Sequence, residues 1–146
     1  MKLDALNTKI LKCLQQNARM SNAEIGRQVG VTSPAVSERI KKMEDLGVIE
    51  AYKAIVSPFE IGYQLKAIIT LRAFMGKLKP FLDKVKTYDE VVNCYRITGD
   101  ENIVMEVVLK NHKHLETFID QLISYGESKT NIVLSRVIKQ KEIKPI

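Results

Sequence analysis

Cysteine is scarce in this chain, with only Cys13 and Cys94 among 146 residues. They fall in separate segments and on apolar patterns, which argues against a disulfide framework or metal pair and for two buried free thiols. Long apolar runs are missing as well. No window reaches the unbroken apolar length of a membrane span, and Met1-Lys2-Leu3-Asp4 lacks the apolar core of a signal peptide. A cytoplasmic protein without membrane contact is expected. Catalytic signatures are also lacking: there is no nucleophile elbow, no phosphate-cradling glycine motif and no spaced acid pair tied to a cleft. His112 and His114, flanking Lys113, read as a solvated pair rather than a metal site. The chain is therefore read as a non-enzyme with no metal and no cofactor.

What is present is an ordinary hydrophobic fraction of 45% and a net charge of +6. The first supports a core. The second suits a polyanionic partner, although residues 1–60 carry only +2 of it and residues 61–146 carry +4. Basicity along the sequence is thus not concentrated at the N-terminal end.

The most informative stretch is Ser21 to Gly47, SNAEIGRQVGVTSPAVSERIKKMEDLG. Ser21 with Glu24 three residues on forms a capping box, so a helix starts at about Asn22. Ile25 and Val29 share its buried side, and Gly30 supplies a permissive turn. A second helix is predicted with Ser33 as N-cap and Pro34 at its first position. Val36, Ile40 and Met43 form its apolar stripe, while Ser37, Glu38, Lys41 and Lys42, with Arg39 on the flank, face outward. Such a face suits phosphates and base edges. Spacing alone leaves this open, because paired amphipathic helices occur in many all-α proteins. Two neighbours favour a DNA reader. A preceding helix from an Asp4 N-cap to about Asn17 carries Leu6, Ile10, Cys13 and Leu14, and Val48 to Tyr52 reads as a strand or wing.

After a predicted strand Ala51 to Val56, the stretch Ser57 to Gln64 with Pro58 and Gly62 marks a boundary. Residues 1–50 are the expected helix-turn-helix domain, with its reading motif at about 22–41; 51–64 are strand and linker, and 65–146 a second domain. Beyond the boundary the order is βαββαβ: strand 65–74, a helix on Leu78, Phe81, Leu82 and Val85, strands 91–98 and 103–110, a helix on Leu115, Phe118, Ile119 and Leu122, and a strand 130–139. The fold class is α+β, a winged helix-turn-helix followed by a ferredoxin-like sandwich with both helices on one face of the sheet. Apolar residues on both faces of the last strands suggest that a second copy covers the open face, against the alternative of scattered surface valines.

Several strings resemble the Lrp/AsnC family of transcriptional regulators: DALNTKILKCL (4–14), NAEIGRQVGVTSPAVSERIKKMEDLG (22–47), VIEAYKAI (48–55), CYRITGDENIVM (94–105) and YGESKTNIVLS (125–135). The resemblance spans nearly the whole chain. It implies a nucleoid-associated regulator, a C-terminal RAM domain (regulation of amino acid metabolism) that dimerises and assembles into octamers or other discs, and a small effector, usually an amino acid. Carried onto this sequence, it implies that Ser33, Pro34, Ser37 and Arg39 face double-stranded DNA, with Lys41 and Lys42 on phosphates. It places the effector at Thr98, Gly99, Asp100 and Asn102 of the hairpin and at Ser128 and Thr130. Asn102 stands where the family often has Asp, and Ser128 where it often has Thr. Two modes remain open for such a protein: an effector-driven local switch, or an architectural protein that bridges or wraps DNA without an effector.

Overall fold

A computed structural model describes residues 3–146. The chain forms two compact units, one running up to Ile55 and taking in Ile138–Ile146, the other Val56–Val137.

The first unit is built on three helices, α1 (Ala5–Gln16), α2 (Asn22–Val29) and α3 (Ser33–Asp45). Local chemistry sets their starts. The Asp4 carboxylate accepts from the Asn7 amide at 2.7 Å and caps α1. At α2 the capping box is complete, since the Glu24 amide donates to Ser21 Oγ at 3.2 Å and the Ser21 amide to Glu24 Oε2 at 2.8 Å. Helix α3 begins one residue earlier than predicted. Thr32, extended and without a side-chain capping bond, is its N-cap, so Ser33 is the first helical residue and Pro34 the second. Pro34 tolerates this because no amide in the first turn has a helical partner to lose. Ile10, Cys13, Leu14, Ile25, Val36 and Met43 make the core, and each such side chain removed from water contributes on the order of 1.5–3 kcal/mol.

The turn between α2 and α3 is tight enough to require Gly26. A Cβ there would stand 2.5 Å from the Val31 carbonyl oxygen, while the Gly26 carbonyl accepts from the Gly30 and Val31 amides at 2.8 and 3.0 Å.

No wing follows α3. Residues 48–56 have no strand assignment, because an extended segment becomes a strand only with a ladder partner and the described residues offer none. Tyr52 is pinned instead by its hydroxyl, which donates to Glu44 Oε1 at 2.9 Å; burial, then the Glu44 carboxylate, push its pKa up to about 12.

Residues 138–146, assigned from sequence to the second domain, lie with the first unit. The Gln15 side-chain amide donates to the Ile143 carbonyl at 3.0 Å and accepts from the Ile143 amide at 2.9 Å, and Gln16 donates to Glu142 Oε1 at 2.8 Å.

The second unit contains β1 (Leu65–Ala73), α4 (Leu78–Lys84, prolonged by a 3-10 turn), β2 (Val91–Arg96), β3 (Ile103–Leu109), α5 (His112–Leu122) and β4 (Gly126–Ile132). The sheet is antiparallel in the order β2-β3-β1-β4. This is the ferredoxin-like arrangement expected from the βαββαβ order. Ala67, Ile69 and Leu71 of β1 and Ile103, Met105, Val107 and Leu109 of β3 meet Phe81, Phe118 and Leu122 of the helices in one core. Edge-to-face contacts at 5.4 Å, Phe81 with Tyr125 and Tyr88 with Phe118, close it.

The last strand starts four residues earlier than predicted and ends seven earlier, at Ile132. Gly126 lets β4 start against β1, since a Cβ there would stand 2.3 Å from the Arg72 carbonyl oxygen. The ladder ends near the start of β1, where the Val133 amide donates to the Lys66 carbonyl at 2.8 Å, so the apolar stretch beyond has no ladder partner among the described residues. Ser128 and Thr130 consequently sit inside the strand. On the face away from the helices lie Lys66, Ile68, Thr70 and Arg72 of β1, Val104, Glu106 and Val108 of β3, and Glu127, Lys129 and Asn131 of β4. Ile68 is exposed there and Val108 is buried.

Candidate nucleic-acid interface and effector cleft

Burial of Val36 and Met43 fixes the rotation of α3 and turns Pro34, Ser37, Glu38, Lys41 and Lys42 into solvent. Among the described residues, Lys41 and Lys42 make no ion pair, so their ammonium groups are available to an anion. Ser33 is half-buried at the helix start.

Arg39 is different. Its Nη1 donates to Asp4 Oδ2 at 2.7 Å and to Asn7 Oδ1 at 2.9 Å, so the guanidinium spans from α3 to the first turn of α1. The Asn7 amide first, and then Arg39, hold the Asp4 carboxyl below its usual pKa of 3.8. In this geometry Arg39 orients the reading helix rather than reaching outward.

The second cluster is a cleft of about 380 Å³ lined by Arg72, Asp100, Glu101, Glu127, Ser128 and Lys129. Arg72 pairs with Glu127, and Lys129 pairs with Glu101. Hydrogen bonding from Lys129 holds Glu101 below its usual 4.5, and the same bond holds Lys129 above 10.5. Asp100 has no ion pair among the described residues, although its charge acts on Lys129 through space.

Of the six residues predicted to hold an effector, the structure thus brings only Asp100 and Ser128 to the cleft wall, and Ser128 pairs with Leu71, so its side chain turns to the helix-covered face. Thr98 and Gly99 are exposed on the hairpin, outside the lining. Asn102 Oδ1 accepts from the Ala73 amide at 3.2 Å, which ties the hairpin to β1. Thr130 pairs with Ile69 and so shares the helix-covered face. Sequence reading missed Arg72, Glu127 and Lys129, and placed Glu101 in the hairpin signature without giving it a role. Glu127 and Lys129 stand at the two-residue spacing of one strand face, a signal hidden by placing the strand start at Thr130.

Comparisons with known proteins bear on both clusters. Residues 3–44 match the AsnC-type helix-turn-helix domain, and residues 66–143 match the Lrp/AsnC ligand binding domain. The chain belongs to the Lrp/AsnC family. It is 33% identical to the HTH-type transcriptional regulator Ptr1 of Methanocaldococcus jannaschii over 99% of each chain. It is 30% identical to the regulator FL11 of Pyrococcus furiosus, over 99% of this chain and 97% of the relative. Among solved structures, Bacillus subtilis LrpC superposes with a TM-score of 0.90 at 25% identity, covering 96% of this chain and all of LrpC. A Neisseria meningitidis transcriptional regulator in complex with L-Met superposes with a TM-score of 0.91 at 26% identity, covering 97% and 96%. This Lrp/AsnC chain is a DNA-binding transcriptional regulator with a ligand-binding domain, and its relatives are named as regulators rather than enzymes.

Proposed function

We propose that the protein is a sequence-specific regulator whose assembly and DNA binding respond to an amino acid held in the cleft beside Asp100. The unpaired Asp100 carboxylate carries this reading. Around it Arg72 pairs with Glu127 and Glu101 with Lys129, so Asp100 is the cleft carboxylate without an ion pair among the described residues and is open to an α-ammonium group. The relative solved with L-Met supports a ligand of this class.

On the DNA side, Pro34 and Ser33 open the reading helix, Ser37 reaches base edges in the major groove, and Lys41 and Lys42 grip phosphates. Arg39 acts through Asp4 and Asn7 by holding the helix at its angle. A second copy packs on the open sheet face around Ile68 and Val104, and two heads then meet half-sites about one helical turn apart. A cytoplasmic, nucleoid-associated location fits this role.

Calorimetry against the twenty proteinogenic amino acids tests the sensor. One of them should bind, and Asp100→Asn should weaken it at least tenfold, the loss of one charge-assisted hydrogen bond of about 1.5–3 kcal/mol. Absence of heat at millimolar ligand for all twenty would remove the effector from the reading and leave the DNA-binding function standing.

A further inference from the structure

Charge in this protein is sorted by folded unit rather than by position in the sequence. The unit of the three helices, with residues 138–146 included, has twelve basic and seven acidic residues, a net +5; residues 56–137 have eleven and ten, a net +1. Nearly all of the excess therefore lies on the DNA-binding unit, and Lys139, Lys141 and Lys144 supply much of it.

Among the described residues, those lysines make no ion pair in the way this segment is held. Gln15 clasps the main chain of Ile143 through a paired donor and acceptor, and the segment's single acid, Glu142, is hydrogen-bonded to Gln16. All three lysines are exposed, and so is Ile143 at 79%, so apolar burial does not explain why the segment docks. A backbone clasp with free ammonium groups is suited to phosphate oxygens, which accept a point charge without demanding fixed geometry.

We propose that residues 138–146 are a basic arm of the DNA-binding unit, contacting duplex phosphates outside the base pairs that α3 reads. The arm rests on the DNA-binding reading and adds affinity without sequence preference.

The test is fluorescence anisotropy of the full chain on labelled duplex DNA between about 50 and 200 mM salt, with a variant carrying Lys139→Gln, Lys141→Gln and Lys144→Gln. Two or three lost phosphate contacts lower the salt slope by roughly 2–3 per unit, so the affinity lost across that range shrinks by roughly ten- to fortyfold. A matched variant, Lys77→Gln, Lys79→Gln and Lys86→Gln in the other unit, should leave the slope unchanged. Equal flattening by both variants would overturn the arm and assign the effect to total charge. So would an unchanged slope in the tail variant while Lys41→Ala with Lys42→Ala flattens it. A full chain that ignores DNA at low salt would instead sink the DNA-binding reading itself.

Discussion

Replacing Gly26 by Ala should destabilise the DNA-binding unit, although alanine is ordinarily the better helix former by about 1 kcal/mol. The new Cβ would stand 2.5 Å from the Val31 carbonyl oxygen, so the turn must retreat by most of an ångström. That turn is not free to move. Its Gly30 and Val31 amides both donate to the Gly26 carbonyl, and lengthening either bond weakens an interaction worth about 1 kcal/mol. Overpacking of this kind typically costs 1–3 kcal/mol, which with strained turn bonds outweighs the propensity gain and leaves a net loss of about 1–3 kcal/mol. For a unit of this size each 1 kcal/mol lowers Tm by about 4–8 °C, so a calorimetric shift of at least about 4 °C is expected. The second unit's transition should stay in place, and DNA affinity should fall because the α2–α3 angle changes. A Gly26→Ala protein with equal or higher Tm would refute the idea that this close approach constrains the turn.

Other consequences separate positioning from contact. Lys41→Ala with Lys42→Ala should weaken binding to every sequence and lower the salt slope by about 0.9 per lost contact, as read in a salt titration. Arg39→Ala should reduce the unit's thermal stability and its affinity while leaving the salt slope as it is; a flattened slope with unchanged Tm would put Arg39 on DNA instead. The cleft pairing has its own pH window. The stabilisation from Glu101 is present above its ordinary 4.5 and is lost as pH falls through its depressed folded pKa, while that from Lys129 is present below 10.5 and lost as pH rises through its raised one. Carboxyl NMR should therefore show Glu101 titrating below 4.5 and returning toward it in Lys129→Gln.

Elements written in local chemistry were legible. Asp4, the Ser21 and Glu24 box and the apolar spacings of α1, α2, α4 and α5 all act within one or two turns, where sequence and geometry coincide. Adjacent capping residues, Thr32 and Ser33, made the start of α3 ambiguous by one position. Strands failed where partners decide. The apolar-rich stretch Val133 to Ile138 looks like a strand and has no ladder among the described residues, whereas Gly126-Glu127-Ser128-Lys129 has little intrinsic preference and is held by β1. The same non-locality hid the cleft, whose ion pairs join β1 to β4 and the β2–β3 hairpin to β4. Nothing near Gln15 announces Ile143, 128 positions away.

The return of residues 138–146 to α1 makes the reading head discontinuous in the gene. A ribosome releases the three helices early, and a head lacking its last piece can form before the sheet domain has been translated. The Gln15 clasp closes only after that domain's β4 has left the exit tunnel. Cutting the chain in the linker would accordingly yield a head without the lysines of residues 138–146.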